Sequence, residues 1–93
     1  MSLRIVPVDL KNDAISKRWL ELLDHYARDP MGGGTGLSDY AKGNLVGKLQ
    51  DFPGFHGALA YQDENAVGLI NCFLGFSTFA AKPLLNIHDV VLP

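Results

Sequence analysis

One run, Ala66–Phe76 (AVGLINCFLGF), constrains this chain more than any other. It is long, almost wholly apolar and rich in residues that favour strands. A tight polar turn, Asp63-Glu64-Asn65, precedes it. Before the turn lies Phe55–Gln62, where alternation places Phe55, Leu59 and Tyr61 on one face. The two runs form an antiparallel hairpin. A strand this continuously hydrophobic belongs to a sheet covered on both faces. Only two helical segments come before it, and together they can cover one face. A second cover must come from elsewhere, so the expectation is a fold that is incomplete or completed by a partner.

The remaining elements follow from local signals. Leu3–Val8 is short and β-branched, and Pro7 and Asp9 end it, which makes a first strand. Asn12 or Asp13 caps the next element. Ile15, Trp19, Leu22, Leu23 and Tyr26 recur at helical spacing, and Pro30 stops the helix near Arg28. Ser38 caps a second helix, Asp39 to about Gln50, with Ala41, Leu45, Val46 and Leu49 inward. Gly43 and Gly47 lie inside it and each cost about 1 kcal/mol relative to Ala. Close packing against a neighbour is the expected reason for both. After the loop Phe79–Pro83, the strand Leu84–Leu92 (LLNIHDVVL) closes the chain. Regular alternation places Leu85, Ile87, Asp89 and Val91 on one face. Asn86, His88, Val90 and Leu92 then share the other, so Asp89 is expected to point away from His88 and to satisfy nearby backbone donors or a helix N-terminus. The order is β-α-α-β-β-β, an α+β chain whose 93 residues make at most one domain.

Composition excludes several functions. Net charge is −2, without a basic run, which argues against nucleic acid and anionic membranes as partners. No apolar stretch reaches membrane-spanning length, and the N-terminus lacks a signal-peptide pattern. Cys72 is the single cysteine, which rules out an internal disulfide and suits a reducing cytoplasm. The three histidines show no ligand spacing with Cys72 or the acids, so no metal site is expected. Met31–Gly36 holds four glycines in five residues. It follows a helix rather than a strand and has neither phosphate-loop spacing, so it serves as a flexible connector or substrate-side lid.

At the last strand a resemblance becomes specific. Ile87-His88-Asp89-Val90-Val91-Leu92-Pro93 fits a strand of the form hydrophobic, His or Glu, Asp, three hydrophobics, Pro. With the β-α-α-β-β-β order it resembles the GNAT superfamily of N-acyltransferases. The preceding Phe76-Ser77-Thr78-Phe79…Lys82-Pro83 is similar to the diamine and thialysine acetyltransferase branch. The resemblance implies that residues 1–93 are the N-terminal part of a single GNAT-like domain. That half-fold has a mixed, mostly antiparallel sheet with two helices on one face. The family's pyrophosphate-binding signature, (Arg/Gln)-x-x-Gly-x-(Gly/Ala), is expected after Pro93, so these residues alone are expected to bind acetyl-CoA poorly.

The resemblance also implies roles. Acetyl-CoA is the co-substrate and a primary amine of a small molecule the acceptor. Backbone groups of Val90, Val91 and Leu92 are placed to bind the pantetheine arm. His88 stands where relatives carry a glutamate proposed as the base, and an imidazole can take that proton near neutral pH. Substrate recognition falls on Tyr26, Asp29, Met31 to Gly36 and Tyr40, with Phe76 and Phe79 nearby. The alternative is a non-catalytic binding or oligomerisation module whose last strand pairs with its copy in a homodimer.

Overall fold

A computed structural model of the chain describes residues 3–30 and 34–92. Met31 to Gly33 of the expected substrate-side loop, and Pro93, lie outside the described residues. The elements run β1 (Leu3–Pro7), α1 (Asp13–Arg28), α2 (Asp39–Gln50), β2 (Phe55–Gln62), β3 (Asn65–Ser77) and β4 (Lys82–Val91). The four strands form one sheet in the order β1-β2-β3-β4, and each neighbouring pair is antiparallel. This is the GNAT-like α+β half-fold.

Each helix begins where its capping residue satisfies an orphan amide. The Asn12 side chain accepts from the Ile15 amide at 3.1 Å, and the Ser38 hydroxyl accepts from the Ala41 amide at 3.1 Å. α1 buries Ser16, Trp19 and Leu23 against the sheet. Trp19 and Leu23 join Leu10, Leu59 and Leu69 in the core cluster. α2 buries no residue completely, although Leu45, Val46 and Leu49 pack partly against that cluster. A bond from the Gln50 side chain to the Leu10 carbonyl, 2.9 Å long, ties its end down. A Cβ built on Gly43 or Gly47 meets nothing within 4 Å. Close packing therefore does not explain these glycines, and the helix is loosened at two points for no steric gain.

Gly54 has φ +89°, and a Cβ there would sit 3.0 Å from the Leu74 side chain. The left-handed turn lets its carbonyl accept from the Leu74 amide at 2.8 Å, which starts β2 in register with β3.

Both helices lie on one face of the sheet. The opposite face is apolar and open: Ile5, Leu74, Phe76, Leu85, Ile87 and Leu92 are all exposed, Ile87 by 64%. Leu3, Ile5, Ala58, Ile70, Val90 and Leu92 line a shallow groove of about 260 Å³ there. A bare apolar sheet face of this extent fits the expectation that it needs a cover.

Candidate active site

The site is made by an irregularity in β4. Asn71 of β3 pairs with Asp89, while the next residue, Cys72, pairs with Ile87. One step along β3 corresponds to two along β4, so His88 is an unpaired extra residue in a β-bulge. The bulge resets the alternation. Asn86 opposes Phe73 on the helix-side face, and His88, two residues on, stays there. Asp89 opposes Asn71 and lies on that face as well. The expectation that Asp89 points away from His88 is therefore corrected, because it assumed a regular strand. Val91 likewise moves to the helix side, where it packs against the core cluster. Val90 and Leu92 turn to the open face and its groove.

His88 and Asp89 together line a cleft of about 340 Å³ between the helices and the sheet. Its walls are mostly apolar and include Trp19, Leu37 and Phe55. Tyr26 stands at its α1 side, and the Phe73 ring meets the His88 imidazole edge-on at 5.6 Å. Asp89 is half-buried and accepts a hydrogen bond from the Asn71 side-chain amide at 3.1 Å, and among the described residues no backbone donor or helix end takes that place. Asn71 in turn accepts from the Trp19 indole at 2.7 Å. Trp19 and Asn71 are 1% and 2% exposed, so this polar pair is fully desolvated.

A second cleft, about 520 Å³, opens between the end of α1 and the end of β4. His25, Tyr26 and Asp29 line one side, and Val90, Val91 and Leu92 the other. Tyr26 thus faces both clefts. β4 is the last strand of the described sheet. Half of its backbone N–H and C=O groups therefore point away from β3.

The connection between α1 and α2 is fixed by Asp24. Its carboxylate accepts from the Leu37 amide at 2.8 Å and from the Arg28 guanidinium at 2.8 Å, with the Lys42 ammonium 3.9 Å away. The Leu37 amide chiefly holds the carboxyl below its ordinary 3.8; partial burial opposes this, and Arg28 and Lys42 reinforce it. This anchoring sets Leu37 in the wall of the first cleft.

The structure thus places Tyr26 and His88 in the first cleft, and Tyr26, Asp29, Val90, Val91 and Leu92 in the second. It does not bring in Tyr40, Phe76 or Phe79. Tyr40 is exposed at the start of α2, Phe76 lies on the exposed apolar surface, and Phe79 projects fully into solvent at the β3–β4 turn. Asn71, Asp24 and the cleft-side placement of Asp89 were missed from the sequence. A lone asparagine amid the β3 apolar run was the available signal for Asn71. For Asp24 it was the four-residue spacing to Arg28. Among the described residues no group of three His, Cys, Asp or Glu could hold a metal ion, and no helix is long and apolar enough to cross a membrane.

No protein-family model matches the sequence, and no curated protein sequence does. Solved structures match by fold. A ribosomal-protein-alanine N-acetyltransferase from Brucella melitensis biovar Abortus 2308 has a TM-score of 0.69 at 13% identity, over 99% of this chain and 57% of its own. The aminoglycoside acetyltransferase meta-AAC0020, from an uncultured soil metagenomic sample and in complex with sisomicin, has a TM-score of 0.69 at 18% identity. That match covers 97% of this chain and 55% of the other. A third, the aminoglycoside acetyltransferase HMB0005 from an uncultured soil metagenomic sample, has a TM-score of 0.65 at 16% identity over 99% of this chain. The chain spans a little over half the length of these acetyltransferases, and what it shares with them is their GNAT-like fold.

Proposed function

We propose that the chain is the N-terminal part of a single GNAT-type acyltransferase domain, which transfers acetyl from acetyl-CoA to a primary amine of a small molecule. The observation that carries this reading is the bulge at His88. It turns a titratable imidazole into a cleft at the place where β4 also presents an open backbone edge. In this mechanism the amine nitrogen attacks the thioester carbonyl. A C–N bond forms, the C–S bond breaks, the amine proton passes to His88, and coenzyme A leaves as thiolate. Backbone amides at Val90 to Leu92 bind the amide-rich pantetheine arm and offer a donor to the developing oxyanion. Tyr26 lines both clefts, Asp29 lines the second, and both approach the amine. The resemblance of Phe76–Pro83 to the diamine and thialysine branch supports an acceptor of that type, and the buried Cys72 thiol suits a reducing cytoplasm.

The test is incubation of the complete domain, of which this chain is read as the N-terminal part, with acetyl-CoA and a panel of small primary amines, with products read by mass spectrometry. An N-acetylated small amine is expected. Acetylation confined to peptide N-termini would overturn the acceptor class, and no acetylated product from any amine would overturn the reaction.

A second reading has its own observation. β4 lies at the sheet edge, and the face beyond the helices is apolar and exposed. A module that pairs through this strand with its copy would use both features. Light scattering distinguishes the two, since a clean dimer without acetyl transfer favours the module.

A further inference from the structure

Two carboxylates serve the first cleft, Asp24 through the Leu37 wall and Asp89 directly, and their surroundings differ. Asp24 carries Arg28 and Lys42 as cationic neighbours. Asp89 is half-buried among apolar walls, and among the described residues no lysine or arginine pairs with it. Its side-chain partner is a neutral donor, Asn71. His88 lies next to it, but its ring is set edge-on against Phe73.

The orientation of Asn71 is dictated by chemistry. An indole N–H can only donate, so the Asn71 carbonyl oxygen must face Trp19. The amide nitrogen must then face Asp89, where it donates to one carboxylate oxygen. Reversing the amide would set a donor against a donor and an acceptor against a carboxylate, both inside a desolvated site. The helix thus fixes the strand residue, and the strand residue fixes the carboxylate. A neutral tether holds the carboxylate without neutralising it. What the site lacks is a cation.

We propose that Asn71, locked by the Trp19 indole, is a positioning residue that holds the Asp89 carboxylate as the receptor for a ligand's primary ammonium group in this cleft. This deepens the acyltransferase reading and rests on it for the identity of that ammonium as the acyl acceptor. The ammonium meets Asp89, and the adjacent His88 faces the same cleft to accept its proton. The bulge is what lets two consecutive residues take these two roles.

The test reads the relay directly. Trp19 is the single tryptophan, so its indole N–H gives one assignable NMR resonance in the labelled protein. The probe is 1,4-diaminobutane, with 1,4-butanediol as the neutral control. The diamine is expected to shift the Trp19 indole and Asn71 side-chain amide resonances saturably, and the diol is not. Asp89→Asn keeps the Trp19–Asn71 pair, and with it the fold, and should abolish the response. Asn71→Leu should weaken diamine binding roughly 10- to 100-fold, the scale of a lost hydrogen bond to a charged group. The proposal is overturned if the diamine gives no shift, if the diol gives the same shift, or if Asp89→Asn responds as wild type does. Saturable diamine binding without acetyl transfer would sink the acyltransferase reading and leave this one standing. Acetyl transfer with an amine KM unchanged by Asp89→Asn would do the reverse.

Discussion

The Trp19–Asn71 pair permits a quantitative test of how the helix layer is fastened to the sheet. Trp19→Phe removes the indole donor and leaves the Asn71 carbonyl facing an apolar wall. Asn71→Leu removes the acceptor and leaves the indole N–H unsatisfied. Both groups are almost fully buried and their bond is 2.7 Å long, so water cannot replace the lost partner. Each single change should therefore cost about 2–3 kcal/mol, near the upper end for an orphaned buried polar group. The double variant orphans neither group, so its cost should fall short of the sum by about 1–3 kcal/mol. For a domain of this size each kcal/mol moves Tm by roughly 4–8 °C, well within the resolution of a thermal scan. Urea unfolding followed by far-UV circular dichroism is the suitable assay, since Trp19→Phe removes the single tryptophan that fluorescence would need. Additive effects, within about 0.5 kcal/mol, would refute the claim that the two side chains act as one buried unit.

Other consequences follow from the same structure. Gly43→Ala and Gly47→Ala should each stabilise the protein by about 0.5–1 kcal/mol, because the added methyl meets open space in a helix interior; a lower urea midpoint would contradict this. Asp24 has a folded-state pKa below its ordinary 3.8, so its contribution is fully present above that value and is lost as pH falls through the folded value. Asp24→Asn should accordingly flatten the acid-unfolding curve below pH 3.8, and an unchanged curve would show that the Leu37 contact forms equally in the unfolded chain. Ile87→Lys on the open apolar face should change the stability of this chain by no more than about 0.5 kcal/mol while reducing self-association in light scattering. A large stability loss would mean that this face is already packed.

The fold was largely legible because its signals are local. Asn12 and Ser38 announced their helices, Pro30 ended the first, and the Asp63–Asn65 turn defined the hairpin. The excess hydrophobicity of β3 pointed to the bare face now seen at Ile87 and Phe76. Part of the β4 geometry was legible too, since alternation puts Asn86 and His88 on one face, and they share one in the structure. Asp89 was not, because a bulge is a property of two strands in register and one strand's sequence does not contain it. Asn71 was equally hidden: its partner Trp19 lies 52 residues away, and nothing local couples a helix indole to a strand amide. Gly43 and Gly47 misled for the opposite reason. Glycine within a helix suggests close approach, and here no neighbour approaches.

The central claim is that the bulge at His88 places a base beside an acyl acceptor. Its most direct test is amine-dependent release of the coenzyme A thiol from acetyl-CoA, compared between wild type and His88→Gln in the complete domain of which this chain is read as the N-terminal part. Amine-dependent release by the wild type, lowered about 10²- to 10⁴-fold in His88→Gln with acetyl-CoA binding unchanged, is the predicted result. Equal rates in the two proteins, or thiol release that does not depend on the amine, would contradict the account.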